Sequence, residues 1–153
     1  MSTIQTRRDF LVTGVAAAVL AGAGIAGAAE RWKPDLSVYD KIPAVKYPWG
    51  WIRWVMNSEI DPQSELTLGL VFLDAHQTNQ LHAHPNSAEV LHVLSGASEQ
   101  RLGDNWRPLN AGETLRIPKD VRHQARTQDA PCLVMVVYNT GKRVMVPVTD
   151  EKR

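Results

Sequence analysis

From Trp51 onward the chain falls into short apolar or alternating runs, each only four to eight residues long. They are Trp51 to Met56, Leu66 to Leu73, Leu81 to His84, Glu89 to Leu94, Glu99 to Leu102, Thr114 to Ile117, His123 to Thr127 and Leu133 to Tyr138. Between them stand Asp61-Pro62, Pro85-Asn86, Ser95-Gly96, Gly103-Asp104-Asn105, Ala111-Gly112 and Pro118-Lys119-Asp120, residue types that reverse the chain. No stretch after residue 29 keeps a helical apolar period. Many short strands at this spacing predict an all-β sandwich or barrel, with a single jelly-roll β-barrel a leading candidate. Alternation also assigns faces. In the run from Glu89, the positions Glu89, Leu91 and Val93 point inward and His92 points out.

Upstream, 30–60 reads as an extended N-terminal arm that wraps the barrel or a neighbouring chain. It holds Pro34, Pro43 and Pro48, with Pro62 just beyond, and the aromatics Tyr47, Trp49, Trp51 and Trp54. Aromatics at this density cap a barrel end or a subunit interface, or offer a platform to a ring-shaped ligand. The barrel is assigned to 61–146 and a tail to 147–153.

The first 29 residues follow another logic. Thr6-Arg7-Arg8-Asp9-Phe10-Leu11 is a twin-arginine export box, followed by an uncharged run from Val12 and the small-residue segment Ala26-Gly27-Ala28-Ala29. The expectation is export by the twin-arginine machinery and cleavage, leaving no permanent membrane span and a periplasmic or extracellular product. The alternative is a short membrane anchor, although the run is Gly-rich and weakly hydrophobic for a span. Removing 1–29 takes away two of the 17 basic and one of the 16 acidic residues, leaving a neutral chain. That argues against a nucleic-acid or anionic-membrane partner. The lone Cys132 opens an apolar run and reads as a small core residue; with one cysteine there is no internal disulfide.

The 153 residues suit one domain with a real core. Within it, His82 and His84 stand at i and i+2 and share a strand face, and a four-residue turn leads to Glu89. A hairpin is expected to set Glu89 beside the two histidines, and His123 returns to the same pocket from a later strand. Three imidazoles and one carboxylate suit a single divalent transition metal with positions left open for substrate or O2. Mn or Fe is favoured, with Ni, Cu or Zn as alternatives.

These residues also carry a resemblance. His82-x-His84, four residues, Glu89, six residues and Gly96, then Gly112, five residues, Pro118-x-Asp120, two residues and His123, resemble the two motifs of the cupin superfamily, over roughly Leu66 to Tyr138. The resemblance implies a small barrel with His82, His84, Glu89 and His123 holding one metal near its axis. It departs at His76 and Asp120, where the family usually has glycine, and at Thr127, where asparagine is usual. None of the three is a ligand.

Folds of this kind host dioxygenases, decarboxylases, isomerases, lyases and plain binding proteins, so function has to come from the pocket. The leading expectation is a metal-dependent oxidoreductase of the dioxygenase type acting on a small organic molecule. The alternatives are a non-catalytic ligand- or metal-binding protein of the cell envelope and a metal-dependent lyase or isomerase. Leu91, Val93, Val134 and Val136 are expected to make the pocket apolar, with His76 at its mouth or behind a ligand and Tyr138 nearby. Tyr138, His76 and Glu99 are the candidate bases for lyase chemistry. Arg101, Arg116, Arg122 and Arg126 are candidates for a carboxylate anchor, although Arg126 alternates away from His123. Export of an already folded protein fits Mn or Fe, because metal taken up in the cytoplasm escapes competition from Cu and Zn outside. An edge strand and the arm favour a homodimer.

Overall fold

The computed structural model describes residues 41–149. The expected export segment with Arg7 and Arg8, the first part of the expected arm and residues 150–153 lie outside the described residues. Among the described residues eleven strands follow one another: β1 Val45–Tyr47, β2 Gly50–Met56, β3 Thr67–Leu73, β4 His82–Ala83, β5 Glu89–Ser95, β6 Ala97–Leu102, β7 Asn105–Asn110, β8 Thr114–Ile117, β9 His123–Arg126, β10 Cys132–Tyr138 and β11 Val146–Pro147. Among the described residues no helix is long and apolar enough to cross a membrane.

The strands form two antiparallel sheets, a jelly-roll barrel, in the orders β1-β2-β3-β10-β5-β8 and β11-β4-β9-β6-β7. Side chains at every second position of β10 and β5 are buried, so Leu91, Val93, Val134 and Val136 fall on one internal face. With Ile117, Leu109, Cys132 and Tyr138 they form the core, each large aliphatic side chain contributing about 1.5–3 kcal/mol by leaving water. Cys132 is a core residue as expected, with burial raising its thiol pKa. His92 faces outward as expected and meets the Thr114 hydroxyl at 2.9 Å.

Three strands escaped the hydrophobic pattern. β7 contains Pro108 and begins and ends on asparagine, but it sits at a sheet edge, where a missing N–H costs no ladder bond. The two-residue turn Gly103-Asp104, with Gly103 at φ 60°, joins it to β6. β1 and β2 place much of the expected arm in the six-stranded sheet, so 30–60 is barrel rather than wrapping segment from Val45 on. β11 straddles the expected boundary between barrel and tail, pairing with β4.

Two of the three departures from the cupin pattern share one backbone feature. His76 (φ 57°) and Asp120 (φ 62°) are the non-glycine residues with positive φ among the described residues. Both hold the left-handed turn that glycine adopts without strain. Thr127 secures the His76 turn, donating to the Asp74 carbonyl and accepting the Gln77 N–H at 3.1 Å.

Candidate metal centre

The four predicted ligands come together, and both sheets supply them. His82 and His123 are cross-strand partners on β4 and β9, while Glu89 and Tyr138 are cross-strand partners on β5 and β10. The expected hairpin is not what brings Glu89 in. β4 and β5 belong to different sheets, and residues 85–88 carry the chain across the barrel. Polar side chains hold this crossing. Asn139 Oδ1 accepts the Ala88 N–H at 2.9 Å, and the His84 carbonyl accepts the Asp120 N–H at 3.0 Å.

Each imidazole is oriented by a backbone carbonyl. Nδ1 of His82, His84 and His123 lies 2.7, 2.8 and 2.9 Å from the carbonyl oxygens of Gln80, Val144 and Val121. An Nδ1–H donating there leaves each Nε2 with a lone pair and no proton. Nε2 of His123 and of His84 approach Glu89 Oε2 at 3.0 and 3.2 Å, yet these three buried atoms have no hydrogen-bond partner. Lone pairs converging in this way are costly unless a cation lies among them. The donor set fits one. All four ligand atoms lie within 4.8 Å of one another. Adjacent ligands of an ion with bonds of about 2.1 Å stand about 3 Å apart, matching the two short approaches.

The charge state agrees. Burial pushes the Glu89 carboxyl pKa up, but with no ion present hydrogen bonds and charge from His123 and His84 outweigh it and hold the group well below the usual carboxylate range, ionised; a bound cation would take over that role from Nε2–H protons. His82 is lowered to about 4, first by burial and then by His123, and so is neutral and ligand-competent. Tyr138 donates its hydroxyl to Glu89 Oε1 at 2.9 Å, fixing the carboxylate from behind. Burial and the adjacent Glu89 charge raise the Tyr138 pKa well above the ordinary phenol value.

A cavity of about 120 Å³ opens beside the donors. His82, Glu89 and His123 line it, whereas His84 sits behind, 2% exposed. Leu91, Val134, Val136 and Tyr138 line it as expected, but two expected residues do not. Val93 lies too far along β5 and is fully enclosed in the core. His76 is turned outward on its left-handed turn, with its side chain 69% exposed and 3.8 Å from Asp129.

None of the three candidate bases remains. His76 is outside, Glu99 is held by Arg126 at 2.6 Å and Gln128 at 2.7 Å, and the Tyr138 hydroxyl is committed as a donor. The four candidate arginine anchors also lie outside the cavity lining. Arg126 points away as expected and stacks over Trp106 at 4.1 Å, Arg122 and Arg101 meet Asp104, and Arg116 is exposed.

Beside Asn79 and Gln80, sequence reasoning missed two further polar groups that line the cavity. One is Gln100, 2% exposed and donating to Ser98 Oγ at 3.0 Å; its inward position on β6 follows from alternation with Ser98. The other is Arg143, in the loop between β10 and β11, where no period signals direction. The aromatic cluster divides. Tyr47 and Trp49 stack at 4.7 Å and wall the cavity, while Trp51 lies on Phe72 at 5.3 Å.

An all-β barrel enclosing a three-histidine, one-carboxylate site defines the class. Residues 69–138 match the family described as Cupin domain. Among curated proteins, Protein SchB of Streptomyces halstedii is 32% identical over 88 residues, covering 58% of this chain and 64% of that protein. Polyketide synthase CurC of Streptomyces cyaneus is 36% identical over 59 residues, covering 39% and 38%. The matches thus span less than two thirds of either curated relative. Among solved structures, Bacillus subtilis oxalate decarboxylase, studied for its Mn(II) centers, superposes with TM-score 0.65 at 17% identity over 72% of this chain and 31% of that one. The formate complex of Lactobacillus farciminis oxalate decarboxylase gives TM-score 0.65 at 16% identity over 71% and 34%. At these identities the likeness shows the shared fold.

Proposed function

We propose that this chain is an exported, metal-dependent oxidoreductase of the dioxygenase type that acts on a small, mostly apolar organic molecule. One observation carries the reading. Three of the four metal donors face a cavity that, among the described residues, is lined by no carboxylate or imidazole outside the ligand set. Lyase and isomerase chemistry needs a positioned base. A redox-active ion, when bound, supplies electron transfer with O2 and an electrophilic centre without calling on one.

The chain's own residues do the rest. Tyr138 and three backbone carbonyls fix the ligands, and Ile52, Val71, Leu73, Leu91 and Val136 keep the reacting face dry. Mn or Fe is the proposed metal, supported by the twin-arginine box and by the Mn(II) centers of the Bacillus structural neighbour. We further propose a homodimer built on the edge strand β1, whose Val45, Lys46 and Tyr47 are all exposed.

The test is O2 consumption by Mn- or Fe-loaded protein over a panel of phenols, oxo-acids and polyketide-type ring compounds. The last class enters through the curated relative named polyketide synthase. Metal-dependent O2 uptake with at least one compound is expected. Tight binding without turnover would move the reading to a non-catalytic binding protein.

A further inference from the structure

The cavity beside the metal donors carries a cation that the metal chemistry does not use. Arg143 lines it, with its guanidinium carbon 4.9 Å from the Trp54 ring centroid and 5.2 Å from that of Tyr138. Stacking occupies the faces of the guanidinium and leaves its in-plane N–H donors available. Among the described residues no carboxylate lies within ion-pair distance of it, and the only carboxylate lining the cavity is Glu89, which belongs to the metal site.

The position is built. Asn86 bonds the backbone on both sides of Arg143, donating to the Lys142 carbonyl at 2.7 Å and accepting the Val144 N–H at 2.9 Å. The next carbonyl, that of Val144, orients His84. On the stacking side, Trp54 lies across Gly69, its cross-strand partner, where an added Cβ would come within 2.9 Å of the indole. One loop therefore sets both a metal ligand and the cation.

We infer that Arg143 is a specificity-determining residue, and that the molecule bound in this cavity carries an ionised carboxylate paired with its guanidinium. The inference rests on the functional reading above and adds the class of substrate. A divalent ion, one carboxylate ligand and Arg143 leave the lining with a net positive charge among apolar walls, where an anion is attracted more strongly than in water. A planar guanidinium fork suits a carboxylate bidentately. The guanidinium stands over the ring of Tyr138, whose hydroxyl reaches Glu89. The stacked rings of Tyr47 and Trp49 wall the same cavity, which suits a ring-shaped acid.

The test uses metal-loaded protein with two probes, benzoate and its neutral analogue benzamide, titrated by calorimetry into wild type, Arg143→Gln and Arg143→Met. Metal is counted in every sample. Wild type is expected to bind benzoate at least about 10-fold tighter than benzamide, as befits one charge-assisted pair. Both variants should lose most of that preference, benzoate binding weakening far more than benzamide binding. Arg143→Met keeps an unbranched stem between Trp54 and Tyr138 and decides the matter if the glutamine variant does not melt cooperatively. Equal binding of the probes by wild type, or a preference surviving in the variants, would overturn the inference. A protein without metal would refute the metal reading instead, and benzoate preference through Arg143 would still stand or fall by the same comparison.

Discussion

Tyr138→Phe isolates the link between the barrel and its metal site, because it removes one hydroxyl and nothing else. The ring survives, and with it the edge contact to His84, whose centroid lies 4.9 Å away. What is lost is the 2.9 Å donation to Glu89 Oε1. Tyr138 and Glu89 are each 4% exposed, so water has no ready access to replace the donor. A hydrogen bond to a charged group contributes about 1.5–3 kcal/mol, and removing a partner of a metal ligand typically weakens metal binding by about 10- to 100-fold. The two ranges agree, since such factors correspond to about 1.4–2.7 kcal/mol. Losing the donor also raises the proton affinity of Glu89, so metal release on acidification moves to higher pH. The assay is competition for Mn(II) against a chelator of known affinity at neutral pH, followed by a pH titration of bound metal. Affinity within about 3-fold of wild type would refute the claim that Tyr138 orients a ligand.

Other perturbations test separate parts of the account. In metal-free protein His82 titrates near 4 when folded against 6.5 when unfolded, so the unfolded chain binds the extra proton between those values and stability falls as pH drops through that window. Discounted for the access of its ring to the cavity, the loss is about 2 kcal/mol by pH 4, readable as a falling melting temperature, and a flat profile would contradict it. His76→Gly should stabilise the protein by about 0.5–1 kcal/mol by relieving a left-handed histidine, whereas Asp120→Gly should change little because Asp tolerates that conformation. Denaturant midpoints check both. Val93→Ala should cost about 2 kcal/mol of stability without changing probe binding in the cavity; altered binding would return Val93 to the pocket.

How much of this was legible in the sequence follows from which signals are local. Strand alternation placed Glu89, Leu91, Val134 and Val136 on the inner face and His92 and Arg126 outside, because a period of two survives any tertiary context. The ligand set was legible for the same reason, and because its donors occur at motif spacing. Facing inward does not fix depth, however, and Val93 shares a face with Leu91 yet lies beyond the cavity. β7 was hidden by Pro108, which only an edge position tolerates, and sheet order is a property of the whole fold. The crossing of residues 85–88 between sheets looked like a hairpin because a short turn-rich connection reads the same in both cases. Arg143 lies in a loop whose direction is set by Asn86, 57 positions earlier, a contact no periodicity reports.

The central claim is that His82, His84, Glu89 and His123 hold one metal ion, and elemental analysis of the protein purified from its own host tests it most directly. His82→Ala and His92→Ala are measured alongside, the latter an outward-facing imidazole that should not matter. About one equivalent of Mn or Fe is expected in the wild type and in His92→Ala, and its loss in His82→Ala. Absence of metal from the wild type, or an undiminished content in His82→Ala, would contradict it.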